Sequence, residues 1–127
     1  MKIYIITHVH SGFGIERNYS VAFALKHWLE KTYPEHEFWI PNLEVPMDTP
    51  EDKAIRICNE KLRAADAAWI FAYENLSINM MRESYRAKFR ISINFRSQSV
   101  VINCERKQYP KEIRELIDQI RIIEAEA

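Results

Sequence analysis

Ser77 and Glu83 stand six residues apart, just after the apolar run Ala67-Ala68-Trp69-Ile70-Phe71-Ala72. The run reads as a buried strand and the segment from Ile78 to Arg90 as a helix, so the pair marks a strand end feeding a helix N-terminus. Unpaired backbone N–H groups there favour anions, and Ser77 is a good N-cap. The Glu83 carboxylate lies deeper, about 9 Å along the axis and roughly 600° around it, so the two side chains do not share one face. A carboxylate near a strand end can attack an anomeric carbon and form a covalent glycosyl intermediate. The plainer alternative is a solvated helix glutamate.

Other residues with chemical potential are scattered. His8 and His10 share strand parity with Tyr4 and Ile6 if the first strand persists. They can bind a phosphate or a metal, but no third metal ligand stands out. The Tyr4 hydroxyl can hold a site carboxylate or simply belong to the core. Cys58 has no nearby histidine and falls on an apolar helix side, as a buried inert thiol does. Asp66 is placed to cap or orient the central strand. Arg82, Arg86, Lys88, Arg90 and Arg96 form a local basic cluster, which is usually a solvated helix face.

The elements that must position these residues follow from periodicity. Lys2 to Thr7 is β-branched and aromatic and reads as a first, buried strand. The loop His8-Val9-His10-Ser11-Gly12-Phe13-Gly14 holds both glycines of the chain. It lacks GxGxxG and the P-loop lysine, so neither phosphate-loop motif is present. Asn18 to Lys31 reads as a helix with Ala22, Leu25, Trp28 and Leu29 on one side. Phe38 to Ile40 is a short strand closed by Pro41, and 41–49 a loop. Thr49-Pro50-Glu51-Asp52 opens a helix, with Thr49 as cap, that runs to about Ala64. Its inner side carries Ala54, Ile57, Cys58, Lys61 and Ala65. Residues 91–98 fit either a strand or a helix continuation. Val100 to Asn103 reads as another strand, and Pro110 opens a last helix. The order βαβαβαβα predicts an α/β domain over residues 1–127, three-layered, with a mainly parallel sheet of four or five strands.

Composition narrows the class of function. Hydrophobic residues make up 47% of the 127-residue chain and charged residues 28%, which suits one globular domain with a real core. Lys plus Arg and Asp plus Glu balance at 18 each, so there is no electrostatic case for nucleic acid or a membrane surface. No apolar run reaches the roughly 18 residues of a membrane span. Two cysteines without paired-motif spacing, and a strand at the N-terminus with no leader, predict a cytoplasmic protein.

Three pieces of sequence resemble the nucleoside 2-deoxyribosyltransferase-like superfamily, which includes deoxynucleoside monophosphate N-glycosidases. Ile3-Tyr4-Ile5-Ile6 with its glycine-bearing loop is similar to the family's first strand and phosphate-side loop. Lys61 to Ile70, with Ala65-Asp66, is similar to the entry into its third strand. Ser77 to Glu83, with Ala87 four later, is similar to its S-x-G-x-x-x-E-x-x-x-A signature. Together they cover about residues 1–104, patchily. The resemblance implies a Rossmann-like, flavodoxin-like fold, a homodimer or higher oligomer, and cleavage of the bond between base and 2-deoxyribose with no metal or redox cofactor. It implies Glu83 as nucleophile, Tyr4 as the tyrosine holding it, and Ser77 as a phosphate or sugar contact. Thr7, His8, His10, Ser11, Gly12 and Asn79, at the same strand ends, are expected to complete the contacts to a nucleoside or nucleotide. A 5′-phosphate is expected between the Gly12/Gly14 loop and Ser77. The chain departs from the family pattern at Asn79 and Thr7, where glycines are usual. It departs again at Cys58, where an acidic residue assists protonation around the base. An alternative is therefore a non-catalytic nucleotide-binding or protein-interaction module on the same fold. Met80, Met81, Tyr85 and Phe89 exceed one buried stripe and also favour an oligomer.

Overall fold

The computed structural model describes residues 1–9, 14–73, 77–83, 87–94, 99–104 and 113–125. Strand β1 (Lys2–Ile6) sends successive side chains to opposite faces of the sheet, as a pleated strand must. Ile3 and Ile5 enter one apolar layer with Val21, Leu25, Leu29 and Phe71. Tyr4 and Ile6 enter the other with Leu62, Ala68, Ile70 and Met80.

Helix α1 (Ile15–Thr32) and helix α5 (Ile113–Ala125) cover the first face. Helix α3 (Glu51–Ala64) and the short α4 (Ile78–Glu83) cover the second. The remaining elements are β2 (Glu37–Trp39), α2 (Pro41–Glu44), β3 (Ala67–Ala72), β4 (Ala87–Asn94) and β5 (Ser99–Cys104). Among the described residues the sheet order is β2-β1-β3-β4-β5. Strands β2, β1, β3 and β4 run parallel, and β5 pairs antiparallel with β4. The chain is thus α/β with helices packed on a largely parallel sheet, consistent with a Rossmann-like class.

The winding has a direct bearing on the site. From β1 the chain moves out to β2, then returns past β1 to β3. The reversal falls between β1 and β3, and open α/β sheets bind ligands at the carboxyl ends of such strands. The other end is closed by a reciprocal tie. The Lys2 N–H donates to Asp66 Oδ2 at 2.8 Å, and the Asp66 N–H donates to the Lys2 carbonyl at 2.8 Å. Asp66 therefore orients the start of β3, as expected from its position.

Several expectations need correction. The helix expected over 78–90 ends at Glu83, and residues 87–94 form β4. Phe89, Ile91 and Ile93 alternate with Lys88, Arg90 and Ser92, and strand pairing on both sides exploits that period of two. Segment 91–94, left open by periodicity, belongs to this strand; 95–98 lie outside the described residues. The antiparallel β5 breaks the simple βαβαβαβα alternation. Helix α1 starts three residues earlier than expected, and α2 interrupts the loop 41–49. Pro50, not Thr49, stands at the α3 N-cap, with no side-chain cap bond. Lys61 is exposed on α3, and Leu62 is the residue that buries. No helix among the described residues is long and apolar enough to cross a membrane.

Candidate functional site

A cleft of about 730 Å³ opens at the carboxyl ends of β1 and β3, on the side of α3 and α4. Its walls come from Thr7 and Val9 after β1, from the first turns of α1, from residues 41–49, from α3, and from α4 with Ser77. Glu83, the last residue of α4, faces this cleft, and Tyr4 lies fully buried beneath it.

The Tyr4 hydroxyl donates to Glu83 Oε2, joining residues 79 apart in sequence. Two further groups fix the phenol. Its ring stacks on Trp39, centroids 5.2 Å apart and planes 24° from parallel. The Cys58 thiol is the second, close enough to couple electrostatically to its oxygen. Burial pushes the Tyr4 phenol far above its ordinary range, and the negative forms of Glu83 and Cys58 push it further. It stays protonated, so it is a permanent donor. Burial raises the Glu83 carboxyl above the usual carboxylate value, while the hydrogen bond from Tyr4 pulls it down. A half-buried carboxylate steered by one neutral donor, facing open space, has what a nucleophile or a general base requires.

Cys58 is not the inert core thiol that its helix side suggested, because it lines the cleft. Burial raises its pKa first, the Tyr4 hydroxyl lowers it, and Glu83 raises it again. The thiol is therefore neutral at pH 7 and a poor nucleophile. Labelling of Cys58 in the whole chain with iodoacetamide, followed by peptide mapping to separate it from Cys104, is expected to be slow at neutral pH and to accelerate only in clearly alkaline buffer. Fast modification at pH 7 would mean a thiolate, contrary to this electrostatic setting.

The other expected site residues divide into three groups. Thr7, Ser77 and Asn79 line the cleft with Glu83. Ser77 also caps α4: the Met80 N–H donates to its Oγ at 3.2 Å, so its hydroxyl already serves the helix. His8 lies outside the cleft lining. It is completely buried, its ring meets Tyr73 edge-on at 4.5 Å, and its Nε2 accepts the Tyr73 N–H at 3.3 Å. Strand β1 stops at Ile6, so the parity that would have aimed His8 with Tyr4 is lost. His10, Ser11 and Gly12 lie outside the described residues. Gly14, with φ of +93°, turns the chain into α1 in a conformation that side-chain-bearing residues rarely adopt.

The sequence reading missed Asn42 and the apolar wall of Ile15, Tyr19, Val45, Met47 and Ile55. The available signal was topological: the segment after β2 must also sit at the carboxyl edge of a parallel sheet. Among the described residues, no group of three or more His, Cys, Asp or Glu side chains is clustered to hold a metal ion. Comparison with protein-family models, curated proteins and solved structures finds no match.

Proposed function

We propose that this chain cleaves the N-glycosidic bond of a nucleoside or nucleotide, or transfers its 2-deoxyribosyl group, on a flavodoxin-like fold of the nucleoside 2-deoxyribosyltransferase-like kind. The observation that carries the reading is the hydrogen bond from buried Tyr4 to Glu83 at the wall of the cleft. The sequence resemblance assigns these two residues a shared role, and the fold brings them together across the sheet-to-helix packing.

In the proposed reaction a Glu83 carboxylate oxygen bonds to the anomeric carbon as the bond to the base nitrogen breaks. The bonding pair leaves with the base, which takes up a proton from solvent water, and the nucleophile of the second step returns one to solvent. Water, or a second base, then attacks the same carbon and releases the Glu83 carboxylate, so there is no net oxidation and no redox cofactor is needed. Tyr4 holds one carboxylate oxygen and leaves the other for attack. The apolar wall suits the flat face of a base. Thr7, Ser77 and Asn79 are the remaining contacts from the sequence reading that line the cleft.

Cys58 favours a second reading. A neutral thiol beside Tyr4, where the related pattern has an acid, leaves the leaving base without that proton donor. A module that binds a nucleotide without turnover would tolerate this. Titration calorimetry and product analysis on one panel of nucleosides and 5′-monophosphates separate the two. Released base supports the catalytic reading, and saturable binding without product supports the module.

The protein is also proposed to assemble as a homodimer or higher oligomer. Met80 is buried, but Ile78 and Met81 of α4 are exposed, which leaves apolar surface for a second copy to cover. Tyr85 lies outside the described residues. Light scattering at micromolar concentration should give at least twice the 15.1 kDa chain mass, and a monomer would contradict this.

A further inference from the structure

Two buried oxygens at the cleft have no hydrogen-bond partner among the described residues: Thr7 Oγ1 and Asn42 Oδ1. Thr7 is 6% exposed and Asn42 7%. Folded chains pair nearly all such atoms, so two orphans in one cleft call for a partner that comes from outside the chain. A third orphan, Thr32 Oγ1, sits at the end of α1 and is not part of the cleft lining.

The geometry says what kind of partner fits. Asn42 Nδ2 donates to the His8 carbonyl at 2.8 Å. Turning the amide over would set oxygen against oxygen, so Oδ1 is the atom left for a ligand, and it only accepts. Thr7 immediately precedes His8. Asn42 is therefore tied to the residue next to Thr7, and both side chains line the same cleft. The Thr7 hydroxyl can donate or accept. The nearby lining residues Val9, Val45 and Pro46 add no charge.

We propose that Thr7 Oγ1 and Asn42 Oδ1 form a neutral subsite that takes a hydrogen-bond donor of the ligand, an N–H of a heterocyclic base or an O–H of its sugar. An anionic oxygen has no proton to offer Asn42 Oδ1, so a phosphate belongs elsewhere in the cleft. The choice of ligand class rests on the proposed nucleotide reading, but the subsite itself needs no turnover.

The test is calorimetry on the whole chain carrying Glu83→Gln, which cannot consume its ligand by the proposed route. The probes are the four 2′-deoxynucleoside 5′-monophosphates. The tightest is then compared with its base-N-methylated and 3′-deoxy analogues. One analogue should bind roughly tenfold to a hundredfold more weakly, and which one it is names the donor. Thr7→Val should weaken the parent ligand roughly tenfold, and Thr7→Ser should restore it. Without ligand, Thr7→Val should keep or raise the melting temperature, because the hydroxyl has no partner among the described residues to lose. A lower melting temperature with unchanged affinity would show that the hydroxyl serves the fold. That result overturns the proposal, as does equal binding of both analogues, or binding of none of the monophosphates. Donor-dependent binding to a chain whose wild type releases no base would keep the subsite and end the catalytic reading. Base release with KM unchanged in Thr7→Val would do the reverse.

Discussion

Glu83→Gln is expected to reduce base release by roughly 10³-fold or more in kcat, because it replaces the atom proposed to form the covalent bond. The amide keeps the side chain's shape, and its oxygen still accepts from the Tyr4 hydroxyl. Binding should therefore change little, and stability should stay within about 1 kcal/mol of wild type. The pH dependence of stability gives a second readout. Burial raises the folded Glu83 pKa above its ordinary value of 4.5, so the folded state binds this proton more tightly than the unfolded chain. The contribution from this group is fully present below pH 4.5 and is lost as pH rises through the raised folded value. Glu83→Gln should remove that decline from the melting-temperature profile. An unchanged profile would place the titrating group elsewhere.

Tyr4→Phe is expected to lower base release by up to about a hundredfold, the scale of one hydrogen bond to a charged group. The more specific result is a change in pH profile. The attacking carboxylate must be ionised, so activity should rise with pH along a limb set by the Glu83 pKa. The Tyr4 hydrogen bond pulls that pKa down against the effect of burial. Without the hydroxyl only the upward push remains, and the acid limb should move to higher pH. A merely structural tyrosine would lower activity without moving the limb. Rate profiles of wild type and Tyr4→Phe across the acid range decide between the two.

Much of the fold was legible because the apolar patterns around the switch point are unambiguous. Strand β1 and strand β3 are short, β-branched or apolar runs bounded by polar turns, and α1 carries a clean buried stripe. The stretch from α4 to β4 was not legible. Residues 78–90 are rich in good helix formers, and the period of two begins only at Phe89. What turns Ala87 onward into a strand is pairing with β3 and β5, a long-range effect that no local window contains. Glu83 stood out by its place after an apolar strand, but its link to Tyr4 came from a family resemblance, since the two are 79 residues apart. Cys58 illustrates a limit of helix-face reading. The side of α3 that packs on the sheet is also the side that meets Tyr4, so an apolar face and a site face coincide. Asn42 gave no local signal, because burial of a lone polar residue after Pro41 follows only from the winding of β2 beside β1.

The most direct test of Glu83 as a nucleophile is the mass of the whole chain after incubation with 2′-deoxy-2′-fluoro nucleosides and 5′-monophosphates. The electron-withdrawing fluorine destabilises the oxocarbenium-like transition states of both steps, so a glycosyl ester forms slowly but, once formed, hydrolyses slowly enough to be weighed. A gain equal to the fluorinated sugar, or its phosphate, with peptide mapping to the segment that holds Glu83 and no gain in Glu83→Gln, is the expected result. Base released from the natural nucleotides with no adduct on the fluorinated ones, or an adduct that survives Glu83→Gln, would contradict it.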